Sequence, residues 1–127
     1  MLTNLANLHK LCFPAKPWDA EEFAALKKSG CEVIASENAF IVWRTLGDET
    51  EIITIGVAPI ARRTGTADAM LHIMEKEIGA GKIFLEVAAD NVPAQKLYEK
   101  HGYEIIATRP KYYDGKTDAI VMQKFLK

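Results

Sequence analysis

Residues 50–88 constrain the fold more than any other part of the chain. TEIITIGVA at the start of this stretch and KIFLEVA at its end are rich in β-branched residues, which is typical of strands. Between them, apolar residues follow the i, i+3, i+4, i+7 spacing of one helix face: Ala67, Met70, Leu71, Met74 and Ile78. A strand, a crossover helix and a second strand predict a βαβ unit in the middle of a sheet.

The flanking segments complete an α+β pattern. Leucines at threefold spacing predict a first helix, and the capping-box pair Asp19 and Glu22 opens a second. CEVIAS and AFIVWRT predict two strands that form an antiparallel meander with TEIITIGVA. Asn91 and Pro93 open another helix, and YEIIATR and TDAIVMQKF predict two closing strands around the Asp-Gly turn of PKYYDGK. We therefore expect one domain, residues 1–127, with a mixed, mostly antiparallel sheet flanked by helices.

Charge and residue usage exclude several classes of protein. The formal net charge of −1 argues against bulk binding of nucleic acid, and no apolar stretch approaches the roughly 20 residues that span a bilayer. The first residues lack the pattern of a secretory signal. Cys12 and Cys31 form no CxxC pair and the three histidines are scattered, so we expect free thiols, no metal site and a cytoplasmic location.

The loop ARRTGTADAM, residues 61–70, carries the first functional signal. The start of a helix leaves backbone N–H groups without partners and carries the positive end of the helix dipole, so it attracts anions. Gly65 allows a ligand to approach the backbone, and Arg62 and Arg63 add charge that favours phosphate. The patterns GxxxxGK[ST] and GxGxxG are absent from the sequence. The residues alone leave two interpretations open: a phosphate cradle, or a capped helix with solvated arginines.

Several segments together carry a family resemblance. RRTGTA at residues 62–67 matches the Q/R-x-x-G-x-G/A signature of the GCN5-related N-acetyltransferases. LEVAADNVPAQKLYEKHGYE resembles the second half of that family's cofactor core, and KYYDGKTDAIVM resembles the end of the RimI-like ribosomal-protein alanine N-acetyltransferases. The resemblance covers residues 50–127 and implies a central βαβ unit that binds acetyl-CoA. Because the chain starts almost directly at its first helix, we expect the family's opening strand to be abbreviated.

The resemblance also implies which residues hold acetyl-CoA. The pyrophosphate is expected on backbone N–H groups of the loop, and the strand before the loop is expected to donate an N–H to the thioester carbonyl. Asn91 is expected to contact the cofactor arm in addition to capping its helix. The implied cofactor-binding residues are Ile55, Gly56, Val57, Arg62, Arg63, Thr64, Gly65, Thr66, Ala67 and Asn91. Gly56 by itself indicates a bulge or a close ligand, with an incidental strand glycine as the alternative.

Glu86 and Tyr98 are the candidates for acid–base chemistry. Glu86 is the carboxylate in the otherwise apolar strand KIFLEVA, and Tyr98 lies on the inward face of the following helix. The resemblance implies that Glu86 accepts the proton of the amine, directly or through a water, and that Tyr98 donates a proton to the departing thiolate. From the residues alone, an ion pair between Glu86 and a neighbouring strand and a core-packing role for Tyr98 are the alternatives.

The acceptor is the least constrained part of the function. Tyr112 and Tyr113, in the predicted loop between the last two strands, are candidate contacts for an acceptor peptide. The resemblance implies direct acetyl transfer to a protein N-terminal amine, namely the N-terminal alanine of a small-subunit ribosomal protein. A lysine, another N-terminus or a small-molecule amine are alternative acceptors. A non-catalytic module that binds acyl-CoA is the alternative from a different class, and the presence of both Glu86 and Tyr98 favours the enzyme.

Overall fold

A computed structural model describes residues 2–12, 18–113 and 117–126, with the side chains of residues 2–4, 11 and 111–113 left out of the description. The helices and strands of these residues follow the predicted order. Their bounds are α1 Leu2–Cys12, α2 Ala20–Lys28, β1 Glu32–Ala35, β2 Ala39–Leu46, β3 Glu49–Val57, α3 Thr66–Ile78, β4 Gly81–Ala88, α4 Val92–Lys100, β5 Glu104–Tyr113 and β6 Thr117–Leu126. A single 3-10 turn, Pro59–Ala61, lies between β3 and α3.

The six strands form one sheet in the order β1-β2-β3-β4-β6-β5. β3 and β4 pair in parallel across the crossover helix α3, and every other neighbouring pair is antiparallel. The predicted mixed sheet with a central βαβ unit is therefore confirmed. The Asp-Gly turn that was predicted between the closing strands lies outside the described residues.

Apolar side chains cover both sides of the sheet. On one side, Met70, Leu71 and Met74 of α3 pack with Leu85 and Val87 of β4 in the larger core cluster, as the helical spacing predicts. On the other side, residues of α1 and α2 pack on β2 in a second cluster. We call these the α3 side and the α1 side of the sheet.

A buried histidine fixes α1 beside α2. His9 is 3% exposed, and its ring stacks on Trp18 at 4.7 Å between centroids. Its Nδ1 atom accepts a hydrogen bond from the backbone N–H of Trp18 at 2.9 Å, which requires the unprotonated nitrogen. Burial lowers the pKa of His9, so the neutral ring that this contact needs is the favoured form.

Candidate active site

The central feature of the site is a gap between β3 and β4. Their parallel pairing is restricted to three contacts, Glu49 with Lys82, Thr50 with Ile83 and Glu51 with Phe84. In the described part of the chain, no further pairs form between residues 52–57 of β3 and residues 85–88 of β4. On their outer sides, β3 stays paired to β2 and β4 stays paired to β6. Two strand edges therefore face each other with unpaired backbone groups, to which an extended ligand with amide groups can hydrogen-bond.

The gap leads towards the start of α3, which is open. The first intrahelical bond joins the N–H of Ala69 to the carbonyl of Gly65 at 3.0 Å, so the N–H groups of residues 65–68 point out of the helix. No side chain of the described residues caps this end, whereas Asp19 caps α2 and Asn91 caps α4. We call the N–H groups of residues 65–68 the α3 cradle; they form an anion site of the kind the sequence predicts.

Gly65 is required by the shape of this cradle. Its φ of +82° lies in the left-handed region, which side chains other than glycine rarely adopt. A Cβ atom added at Gly65 would meet no protein atom within 4 Å beyond its chain neighbours, so this side of Gly65 is open. The preceding Arg63 also has a positive φ, +64°, which is uncommon for a residue with a side chain.

The loop between β3 and α3 is held by its own hydrogen bonds. Arg62 Nε donates to the carbonyl oxygen of Val57 at 3.1 Å, and the N–H of Arg62 donates to Pro59 at 3.3 Å. The hydroxyl of Thr64 donates to the carbonyl of Ala61 and lies 2.7 Å from the hydroxyl of Thr66. Nε of Arg62 therefore braces the end of β3, while its backbone N–H is bonded to the 3-10 turn. Within the predicted segment 62–67, the N–H of Arg62 is thus already used inside the loop.

Gly56 is explained by packing within the protein. A Cβ atom at this position would lie 2.7 Å from the ring of Phe40 and 3.0 Å from the Sγ atom of Cys12. Gly56 pairs in register with Phe40, and the register shift of β2 and β3 lies elsewhere, between Val42 and Trp43. Of the two alternatives that the sequence indicated, a bulge is absent at Gly56, and the closest neighbour on its Cβ side is Phe40.

We predict that Gly56→Ala lowers the free energy of unfolding by about 1–3 kcal/mol, the usual cost of overpacking a rigid core. Phe40 is fully buried, so its ring cannot move away from the added methyl group. Urea denaturation of the variant and of the wild type measures the loss. In the Phe40→Leu background Gly56→Ala should cost less free energy than it does in the wild type, and a fully additive result would contradict this explanation.

Glu86 faces the α1 side of β4, opposite to Leu85 and Val87. Its side chain is 22% exposed, and its Oε1 atom lies 3.1 Å from Nη1 of Arg109 on β5. Glu86 therefore has an ion pair, but its partner lies on β5, beyond the neighbouring strand β6, and not on a neighbouring strand as the residues alone suggested. This contact engages Oε1 and does not involve the second oxygen, Oε2.

Tyr98 lies on the other side of the sheet. It is 5% exposed in the core cluster of the α3 side, and its ring meets that of Tyr103 edge-on at 5.8 Å. The hydroxyl of Tyr103 donates to Oε2 of Glu75 at 3.1 Å. Burial, together with the carboxylate of Glu75, raises the pKa of Tyr103 well above its ordinary value. Tyr98 and Glu86 thus lie on opposite sides of the sheet, and Tyr98 shares its core cluster with Leu85 and Val87 of β4.

The start of α3 is joined to the end of α4 by a contact that the sequence did not indicate. Oδ1 of Asp68 accepts from Nε2 of His101 at 2.8 Å and from Nζ of Lys100 at 3.0 Å. The hydrogen bond to His101, supported by Lys100, lowers the pKa of Asp68 below its usual range. The helix of the cradle and the helix of Tyr98 are therefore connected directly.

The remaining predicted residues have mixed outcomes. Asn91 caps α4 as expected, its Oδ1 atom accepting from the N–H of Ala94 at 3.3 Å. The loop expected around Tyr112 and Tyr113 is wrong, because β5 extends through both residues and Tyr113 pairs with Thr117. Their side chains lie outside the described part of the structure.

The described residues include no cluster of three or more histidine, cysteine or acidic side chains that would suit a metal ion. The helices in this part of the chain are all too short or too polar to cross a membrane.

Comparison with known proteins agrees with this geometry. The family model "Acetyltransferase (GNAT) family" matches residues 2–103. The [ribosomal protein bS18]-alanine N-acetyltransferase of Escherichia coli K12 is 36% identical over 90 residues, covering 66% of this chain and 61% of that protein. N-alpha-acetyltransferase 20 of Dictyostelium discoideum is 38% identical over 81 residues, covering 59% of this chain and 46% of that protein. The chain thus spans between about half and three-fifths of these two relatives.

A solved structure shows the same architecture over nearly the whole chain. The ribosomal-protein-S18-alanine N-acetyltransferase of Escherichia coli superposes with a TM-score of 0.88 at 28% identity, covering 99% of this chain and 88% of that one. The family match, the relatives and the shared fold lead to one conclusion. This chain belongs to the acetyltransferase (GNAT) family.

Proposed function

We propose that the protein transfers acetyl from acetyl-CoA directly to a protein N-terminal amine. The observation that carries this proposal is the gap between β3 and β4, after which the chain continues from β3 to the uncapped start of α3. Glu86 lies on β4, and Tyr98 shares a core cluster with Leu85 and Val87 of the same strand. Family membership supports the use of acetyl-CoA. The names of the two relatives, both N-acetyltransferases, support an amine as the acceptor.

The residues fit the two chemically distinct parts of acetyl-CoA. The α3 cradle offers N–H groups and the helix dipole to the pyrophosphate, and the open space before Gly65 leaves room for it. The unpaired edges of residues 52–57 and 85–88 match the amide groups of the pantetheine arm. Residues 55–57, at the end of β3, would then lie beside the thioester.

Acid–base chemistry at the gap follows from this placement. The amine nitrogen forms a bond to the carbonyl carbon of the thioester as the carbon–sulfur bond breaks. Glu86 accepts the proton that the amine loses, and Tyr98 donates a proton to the departing sulfur. A backbone N–H of β3 stabilises the negative charge that develops on the carbonyl oxygen. Charge and protons balance without an intermediate bound covalently to the protein.

For the acceptor we propose an N-terminal alanine, as in a small-subunit ribosomal protein. The relative from Escherichia coli carries this specificity in its name, and the other relative is an N-alpha-acetyltransferase. Both names point to the α-amino group of a polypeptide rather than to a lysine. An α-amino group has an ordinary pKa of about 7.7–8.0, well below that of lysine, so it needs only a modest base to lose its proton.

The test is acetyl transfer to matched peptides. We expect labelled acetyl-CoA to modify a peptide that begins with alanine, at the α-amino group, as identified by mass spectrometry. The same peptide with a blocked N-terminus and an internal lysine is the control for lysine acetylation, and a small-molecule amine is the control for a non-peptide acceptor. Tight binding of CoA without transfer to any of them would overturn the proposed enzyme and favour an acyl-CoA-binding module.

A further inference from the structure

Arg109, on the α1 side of the sheet, lies outside the residues 2–103 that the family model matches and has no role in the proposed chemistry. It lies on β5, two strands away from β4, and its guanidinium reaches Glu86 with 3.1 Å between Nη1 and Oε1. The Arg109 side chain is 57% exposed, against 22% for Glu86. An exposed ion pair of this kind adds little to stability, so its effect is better sought in the orientation that it gives to Glu86.

The sheet register explains how Arg109 reaches Glu86. Glu86 of β4 pairs with Val121 of β6. Two residues further along, Ala119 of β6 pairs with Ala88 of β4 on one side and with Arg109 of β5 on the other. All five side chains therefore share the α1 side of the sheet. Ala119 and Ala88 project little above the strands, so the arginine side chain can lie across β6 and turn towards the row of Glu86.

We propose that Arg109 is a positioning residue for Glu86. This inference rests on the proposed function, in which Glu86 accepts the proton of the acceptor amine. The planar guanidinium lies on the β6 side of β4 and holds one oxygen, Oε1, on that side, which leaves Oε2 as the oxygen that accepts the proton of the amine. Orientation of a base is a large part of its contribution to catalysis, because a small misplacement slows proton transfer strongly.

The test is a double-mutant cycle on acetyl transfer, with Arg109→Met, Glu86→Gln and the combination of the two. Arg109→Met should lower kcat about tenfold, a fraction of what a positioned base contributes, with the KM for acetyl-CoA unchanged. In the Glu86→Gln background the same substitution should have little further effect, because Arg109 acts through Glu86. Arg109→Lys, which keeps the charge, should recover part of the rate.

A matched control separates positioning from a structural role. Arg44 on β2 forms an ion pair with Glu51 on β3, with 3.5 Å between Nη2 and Oε1. Like Arg109, Arg44 is an exposed arginine bound to a carboxylate on a strand, but its partner lies at the paired end of β3 and β4. Arg44→Met should leave kcat unchanged. If Arg109→Met lowers kcat by the same factor in the wild type and in the Glu86→Gln variant, the positioning role is overturned. The same holds if Arg109→Met leaves kcat unchanged while Glu86→Gln lowers it. If Glu86→Gln itself has no effect, or the wild type transfers no acetyl group, the proposed function fails and this inference fails with it.

Discussion

Replacing Gly65 with glutamate is expected to weaken the binding of CoA by about 100-fold or more. The substitution places a carboxylate at the N-cap position of α3, where the proposed function places the pyrophosphate, and the added Cβ atom itself has open space around it. The negative charge occupies the helix N–H groups itself and repels the phosphates, and each charge-assisted hydrogen bond that is lost is worth about 1.5–3 kcal/mol. Isothermal titration with CoA alone measures the effect without requiring an acceptor.

The chain offers a matched control for this variant. Gly47, in the turn between β2 and β3, also has a positive φ, +63°, and a Cβ atom there would likewise meet nothing within 4 Å. Glutamate at either position therefore costs about 1–2 kcal/mol of left-handed backbone strain. Gly47→Glu should lose this stability and keep CoA binding. Equal binding by Gly65→Glu and Gly47→Glu would show that the α3 cradle does not hold the cofactor.

The elements of the fold were predictable because local patterns determine them. The change of hydrophobic period around residues 66–78 marks the crossover helix, and the caps Asp19 and Asn91 mark the starts of α2 and α4 where they are observed. The core role of Met74, which is fully buried, follows from the same spacing. Hydrophobic spacing and helix caps both depend on residues that are only a few positions apart in the chain, so a single sequence is enough to recognise them.

Contacts that depend on sheet register were not predictable. The pairing of Arg109 with Ala119, and of Glu86 with Val121, brings the two charged residues together, and a shift of one residue would place them on opposite faces. Nothing local in YEIIATR specifies that register. The sequence suggested an ion pair for Glu86 and did not identify its partner on β5.

Glycines show a similar limit. Gly65 and Gly56 both suggest that something approaches the backbone closely. The structure leaves open space at Gly65 and places Phe40 and Cys12 at Gly56. A sequence reveals that a side chain is missing, whereas the neighbour that requires its absence is set by tertiary packing. The contact of Asp68 with His101 was missed for the same reason, since it joins two helices that are separated by a strand.

Substituting Tyr98 with phenylalanine is expected to lower kcat by about 100-fold, the lower range for loss of a general acid. The proposed function assigns its hydroxyl to the protonation of the departing sulfur, and phenylalanine keeps the buried ring and its edge-on contact with Tyr103. Binding of CoA should be unchanged, because the contacts of the α3 cradle remain. Steady-state kinetics with an alanine-initiated peptide, together with CoA titration, separate the two quantities.

Tyr103→Phe is the matched control, because Tyr103 is the neighbouring buried tyrosine and its hydroxyl already donates to Glu75. Its raised pKa and this bond to a carboxylate make it a poor proton donor to sulfur. Removing the hydroxyl should lower the free energy of unfolding by about 1 kcal/mol and leave kcat near the wild-type value. If both phenylalanine variants lose activity equally, the loss comes from packing of α4 against α3. If Tyr98→Phe keeps full activity, the proton of the leaving sulfur comes from another source, and the acid role of Tyr98 is wrong.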